Sequence, residues 1–517
     1  MVETVVEPKK SWAETAKSFT HPRVLTMLFL GFSAGVPILL IFSSLSLWLR
    51  EAGVERSAVT FFSWAALGYS FKFVWAPLVD KLPLPLLTSL LGRRRSWLLF
   101  SQVAIILAIL WMAQTDPSLD GNLTFMALAA VMLGFSSATQ DIVIDAYRIE
   151  SADSSLQTLM SSTYIAGYRI GMLVAGAGAL FLASHFGTEM GDYHYSSWQK
   201  SYYIMAAVML VGIATTLIIN EPTTQREDSD HYSGSDYLRF LLLFAISVLG
   251  FIATFYFTSE ISSTIKKSLT EIFDNKHIAG FVVQTIRLML AILVAFVLAS
   301  VQLKLQVVKR QMVVETYVNP ILDFFKRFGV KLALLTLVLI GLYRISDIVL
   351  GVSANIFYQD LGFTKIEIAS VVKTFGLFMT LLGGFLGGLL SVRFGVMKIL
   401  FLGALLSSAT NLLFMALAQM GHSLPMLYTV ISADNLSAGL ASAAFVAFLS
   451  SLTNIKFTAM QYAIFSSLMF FLPKMLGGYS GTMIEEFGYE KFFMMTALMG
   501  IPVLLLIIIA GKRLRLS

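Results

Sequence analysis

The chain has 517 residues, of which 57% are hydrophobic and only 13% charged, with a formal net charge of +6. Soluble domains carry about 25% charged residues, so this chain lacks the polar side chains that a water-facing surface of its size needs. A soluble enzyme and a nucleic-acid-binding domain are excluded on that ground, and the absence of cysteine removes disulfides, thiolate metal sites and haem thioether links.

The first 23 residues are mostly polar and include Lys9, Lys10, Lys17 and Arg23. The apolar run at 24–48 is too long for a signal-peptide core and is expected to remain as the first span. At about 20 apolar residues per span, further spans are predicted at 57–79, 96–114, 122–146, 158–184 and 201–220, closing an N-terminal bundle over 24–220. A polar cytoplasmic loop, 221–236, leads to an inserted section, 237–331, with spans at 237–258 and 280–303. Spans at 332–357, 366–391, 396–419, 424–451, 457–479 and 491–511 form a C-terminal bundle over 332–511, and 512–517 is the tail. The expected fold class is an all-α polytopic membrane protein with two six-helix bundles, an inserted helix pair and about fourteen spans.

Charge fixes the orientation. Lys81 and Arg93 to Arg95 follow the second span, Arg393 and Lys398 sit between two later ones, and Lys512, Arg513 and Arg515 follow the last. The stretch around 113–121 has no Lys or Arg, so both termini are expected in the cytoplasm. The external loop expected at 259–279 fits poorly, because its Lys266, Lys267 and Lys276 are only offset by Glu260, Glu271 and Asp274. Residues 304–331 set Lys304, Lys309, Arg310, Lys326, Arg327 and Lys331 against Val308, Met312, Val313, Ile321, Phe324 and Phe325. They read either as a helix on the cytoplasmic membrane surface or as a solvated continuation of the span before them.

One pattern occurs twice. Ala76-Pro77-Leu78-Val79-Asp80-Lys81 is followed, after an insertion of about ten residues, by Gly92-Arg93-Arg94-Arg95. Its partner runs from Gly387-Gly388-Leu389-Leu390 through Ser391 and Arg393 to Lys398. Both follow the second span of a six-span half and resemble the loop signature of major facilitators, although Ser391 stands in place of the acid. Halves related by an axis along the membrane normal belong to that architecture. Asp80, Arg93, Arg94, Arg95 and Arg393 are therefore expected to form a cytoplasmic gate, in which an acid at a helix end holds a basic loop against a neighbouring terminus.

An ionisable group inside the membrane is expensive and points to function. In the first half these groups are Lys72, Asp141, Asp145, Arg148 and Arg169, and in the second Arg344, Asp347, Lys373, Asp434 and Lys474. Asp141 and Asp145 are four apart and share one face of the fourth span. Two close carboxylates in low dielectric repel each other and lose their hydration, which suits exchange of a proton. The pair is the leading candidate for proton coupling, while a structural pairing of Asp145 with Arg148 or Arg169 stays open. Gln140, Tyr168, Arg169, Arg344, Lys373, Asp434, Asn435 and Gln461 are candidates for substrate binding. Arg169 suits a carboxylate, Arg344 has Asp347 as a partner three residues away, and Gln461 also suits polar packing between helices. The six histidines, His21, His185, His194, His231, His277 and His422, fall in termini or predicted loops without a His-x-x-x-His pair, so no metal site is expected.

Several of these stretches resemble the muropeptide permease family known as AmpG. They are Gly31 to Pro37, Lys72 to Asp80, Gly92 to Arg95, Ser137 to Ala146, Gly167 to Met172, Lys373 to Leu377, Ala444 to Phe448 and Gln461 to Ala463. The resemblance implies a proton-driven importer of anhydromuropeptides in the inner membrane of Gram-negative bacteria, with no cofactor. It would act as a monomer on an anionic sugar-peptide, and the family holds the acids matching Asp141 and Asp145 to be important. The inserted pair and Arg344, where Lys is expected, depart from the pattern. A different anionic cargo, such as a CoA derivative, a peptide or a siderophore, is the alternative, and a polytopic membrane enzyme the remote one.

Overall fold

The computed structural model describes residues 18–41, 43–54, 69, 72–119, 121–152, 154–188, 192–222, 232–273, 276–364, 367–477 and 480–513. Lipid offers backbone groups no hydrogen-bond partner, so long apolar runs close their own bonds as helices. Eleven helices among the described residues are long and apolar enough to cross a membrane. They coincide with eleven of the fourteen expected spans; the span expected at 280–303 falls in the helix Lys276–Lys304, of which Met289–Lys304 is a shorter apolar stretch. Most of the expected span at 57–79 lies outside the described residues. The span expected at 457–479 is the helix Thr458–Gly477, whose residues Thr458 to Ala463 are buried in the protein rather than offered to lipid.

The chain divides into two compact units, Met1–Thr224 with Phe324–Ser517, and Gln225–Asp323. The first holds the helices of both halves. In its N-terminal half run α1 (Pro22–Ile41), α2 (Ala76–Lys81), α3 (Arg93–Ala113), α4 (Asn122–Ser151), α5 (Ser154–Leu173) and α6 (Tyr195–Val208). Helices α1 and α5 touch backbone to backbone. A Cβ on Gly35 would lie 2.0 Å from the Tyr168 carbonyl oxygen, and one on Gly167 would lie 2.0 Å from that of Leu28. Such small residues replace the hydrophobic driving force that lipid removes. An aromatic core in which the Trp48 and Trp198 rings stack at 5.6 Å fills the other end of this half.

The inserted unit contains α7 (Gly234–Phe257), α8 (Ser259–Phe273) and α9 (Lys276–Lys304). A capping box starts α7: the Asp236 N–H donates to the Ser233 hydroxyl at 3.3 Å, and the Ser233 N–H donates to Asp236 at 2.9 Å. The expected external loop at 259–279 is instead largely helical. Ile261, Ile265, Leu269 and Ile272 recur at helical spacing, a periodicity outweighed by the charges in the sequence reading. Residues 304–331 do not continue α9. The chain turns at Leu305 and Gln306, restarts at Arg310, passes a π turn at Val314–Val318 and enters α10 (Asn319–Leu342), which bends at Gly329 (φ 71°).

The C-terminal half continues with α11 (Ile345–Asp360), α12 (Gly376–Phe394), α13 (Val396–Met420), α14 (Leu424–Leu452), α15 (Thr458–Gly477), α16 (Ser480–Leu498) and α17 (Gly500–Arg513). The two halves meet closely where α12 crosses α5: a Cβ on Gly388 would fall 2.2 Å from the Ser162 hydroxyl. They meet again where α4 and α2 reach α15.

Candidate functional site

Helix α4 is buried on every side from Ser136 to Ile149, so the charges it carries must be answered within the protein. Asp141, Asp145 and Arg148 follow at spacings of four and three and lie on one face. Asp145 takes a hydrogen bond from the Arg148 guanidinium at 3.2 Å and sits 3.7 Å from the Lys72 ammonium. Arg148 is fully buried and reaches further, to Ser161 on α5 at 3.1 Å, to Ser450 on α14 at 2.6 Å and over the Tyr462 ring of α15 at 5.1 Å. It thus joins the acid-bearing helix to the opposite half.

Asp141 is treated differently. Its Oδ1 is buried and meets no hydrogen-bond donor, while Tyr164, Lys72 and Asp145 supply its polar and charged surroundings. Two cations and two acids make this cluster neutral when all four are ionised. Neither acid faces lipid. Gln140, one residue earlier, turns to α1 instead, where it accepts a hydrogen bond from Ser33 at 3.0 Å.

The remaining candidates separate into two kinds. Arg169 is partly buried and makes no ion pair or hydrogen bond among the described residues; Arg344 and Asp347 of the other half are the charged groups that act on it. Arg344 is clasped by Asp347, through Nε at 3.0 Å and a second, shorter contact, and donates to Ser442 on α14 at 3.2 Å. Asp434 adds a further carboxylate to that group and accepts from Thr410 at 3.5 Å. Tyr168 packs 6.1 Å from Tyr164. These residues surround charge. Asn435 and Gln461, by contrast, act between helices. Asn435 accepts from Thr380 on α12 at 2.9 Å, and Gln461 accepts from Arg327 at 3.0 Å and from the Asn454 N–H at 2.8 Å. Lys373 lies exposed in the π segment Ile368–Phe375, and the Lys474 side chain lies outside the described residues.

The first copy of the repeated motif forms a latch between the halves. Arg94 binds Asp80 at 2.7 Å, Glu150 at 2.6 Å and the Thr458 hydroxyl at 3.0 Å. Asp80 also accepts the backbone N–H of Met460 at 3.0 Å and of Ala459 at 3.4 Å, the open donors at the start of α15. Thr458 hydrogen-bonds Glu150 in turn. Arg93 donates to the Asp80 carbonyl at 2.8 Å, and Arg95 closes the end of the helix Leu210–Ile218 through the carbonyls of Thr216 at 3.0 Å and Leu217 at 2.8 Å. In the second copy the buried Ser391 hydroxyl makes no hydrogen bond among the described residues, and Arg393 lies 5.9 Å over the Phe394 ring.

Sequence reasoning missed Glu150, Thr458, Ser450 and Tyr164. The one local signal was Glu150, two residues after Arg148 at the end of a helix already marked by charge.

Comparison with known proteins follows this geometry. The Major Facilitator Superfamily model matches residues 27–338. A Rickettsia felis protein named as transporter AmpG 4 is 30% identical over 497 residues, covering 96% of this chain and 98% of that protein. The anhydromuropeptide permease of Escherichia coli K12 is 27% identical, with 96% and 81% covered. Among solved structures, the proton:xylose symporter XylE aligns over 96% of this chain and 95% of its own with a TM-score of 0.56 at 13% identity. FucP in its outward conformation aligns over 95% and 99% with a TM-score of 0.58 at 11% identity. At that identity the two structures speak for the fold alone.

Proposed function

The chain belongs to the Major Facilitator Superfamily and, within it, to the AmpG type, and from that premise we propose that it carries anhydromuropeptides together with protons from the periplasm to the cytoplasm by alternating access. It does so in the bacterial inner membrane, with both termini in the cytoplasm, without a cofactor.

One observation carries the mechanism: a buried Asp141 oxygen without a donor among the described residues, inside a charge cluster that Arg148 ties to the other half. An ionised oxygen in that setting is costly. A proton on Asp141 removes the cost and leaves the cluster with one surplus positive charge, since Lys72 and Arg148 then face Asp145 alone. Arg148 feels that change directly, and it is the group that grips Ser450 and Tyr462 across the interface. Loading the proton thereby alters the bond between the halves.

The cargo is anionic, and Arg169 and Arg344 receive it. A carboxylate between them completes a site in which one guanidinium has no hydrogen bond or ion pair among the described residues and the other is shared with Asp347. On the far side of the cycle the Asp80–Arg94–Thr458 latch must open to release cargo. These roles support a transporter.

Purified protein in proteoliposomes tests the reading. An imposed inward proton gradient should drive accumulation of labelled anhydromuropeptide, and a protonophore should abolish it. Accumulation of a CoA derivative, a peptide or a siderophore in its place would keep the charge mechanism and replace the cargo; product formation without accumulation would replace both.

A further inference from the structure

The inserted helices contain a cavity of about 610 Å³ whose lining includes Asp236, Arg239, Lys304, Gln306, Lys309 and Arg310. Its charges come from three segments: the start of α7, the end of α9 and the linker that follows. Lys309 is neutralised by Asp236 at 2.7 Å. Arg239, Lys304 and Arg310 are exposed and form no ion pair among the described residues. Four cations against one acid leave a strong positive potential in a concavity of ligand size. The tendency of cytoplasmic loops to be basic accounts for the presence of such residues. It does not account for their convergence on one hollow.

Two features narrow the ligand. Exposed leucines border the lining residues along the chain: Leu238 and Leu242 flank Arg239 on α7 at 59% and 46% exposed, with Leu241 between them at 43%, and Leu305, 70% exposed, sits between Lys304 and Gln306. A ligand that fills the cavity therefore continues onto hydrocarbon-facing surface. Gln306 also takes the left-handed conformation (φ 54°) directly after α9, where glycine is the usual choice. Its N–H donates to the Leu303 carbonyl at 3.2 Å, and the amide side chain lines the cavity at a conformational cost that glycine would avoid.

We propose that this cavity seats the phosphate headgroup of an anionic phospholipid, with the acyl chains along the Leu238–Leu242 stripe of α7. Basic pockets at the cytoplasmic ends of transmembrane helices are suited to such headgroups. The inserted unit is then a lipid-binding element, whatever cargo the six-helix halves carry.

The test uses the full chain in detergent, titrated with phosphatidylglycerol, phosphatidylcholine or inorganic phosphate, and read by native mass spectrometry and thermal unfolding. Phosphatidylglycerol should remain bound and raise Tm, with phosphatidylcholine and free phosphate without effect. Arg239→Gln, Lys304→Gln and Arg310→Gln change exposed side chains and should each weaken phosphatidylglycerol binding roughly fivefold. Equal retention of phosphatidylcholine, saturation by phosphate alone, or unchanged affinity in the triple variant would overturn the proposal. So would lipid binding that emerges only after Glu227, Asp228 and Asp230 are neutralised, because the cavity would then belong to the chain's own acidic stretch.

Discussion

Asp80→Asn is the most informative single substitution in the latch. Asp80 is 5% exposed and accepts at least three hydrogen bonds, one from the Arg94 guanidinium at 2.7 Å and two from the first N–H groups of α15. Asparagine keeps the shape but loses the charge and turns one acceptor into a donor. A hydrogen bond to a charged group contributes about 1.5–3 kcal/mol. Arg94 keeps Glu150 at 2.6 Å, which offsets part of the loss, so about 2 kcal/mol is the expected cost to the latched state. That corresponds to roughly a thirtyfold shift toward the unlatched state. The chain has no cysteine, so a single Ala459→Cys change, at a position 1% exposed beside the latch, supplies a clean reporter. In inside-out vesicles, its rate of labelling by a membrane-impermeant maleimide should rise by about that factor when Asp80→Asn is added. An unchanged rate in a well-folded double variant would refute the claim that this contact holds the halves together at that end.

Three further outcomes follow from the same contacts. Gly35→Leu places a Cβ 2.0 Å from the Tyr168 carbonyl oxygen and should destabilise the N-terminal half by about 3 kcal/mol or more, seen as a lower Tm in detergent. Arg169→Ala should raise the KM for an anionic cargo roughly tenfold or more while leaving Tm unchanged, because the guanidinium makes no internal ion pair to lose. Arg148→Lys keeps the charge but not the fork that holds Asp145, Ser161 and Ser450 together; it should slow proton-driven uptake by roughly tenfold, with cargo binding measured at equilibrium little changed.

Much of the fold was legible because lipid imposes one rule on every span. Hydrophobic length located helices such as Val396–Met420 and Leu424–Leu452 almost to the residue. It also located Thr458–Gly477, expected at 457–479. It failed at Ser259–Phe273, whose lysines hid the helical spacing of its isoleucines. Within the site, spacing was enough to place Asp141, Asp145 and Arg148 on one face. The partners of Arg148 were not legible, since Ser450 lies 302 positions away and ordinary serines carry no mark of their role. The same limit explains Gln461. Its amide suited either cargo or packing between helices; it holds Arg327 and the backbone of Asn454, and only a folded chain brings those donors to it.

Proton movement on addition of cargo is the decisive observation. Lightly buffered proteoliposomes carrying the wild-type protein should alkalinise the outer medium when anhydromuropeptide is added without any imposed gradient. Asp141→Asn should bind and exchange the same compound with no pH change. Equal alkalinisation by the variant, or cargo entry with no proton uptake in the wild type, would contradict a coupling role for Asp141.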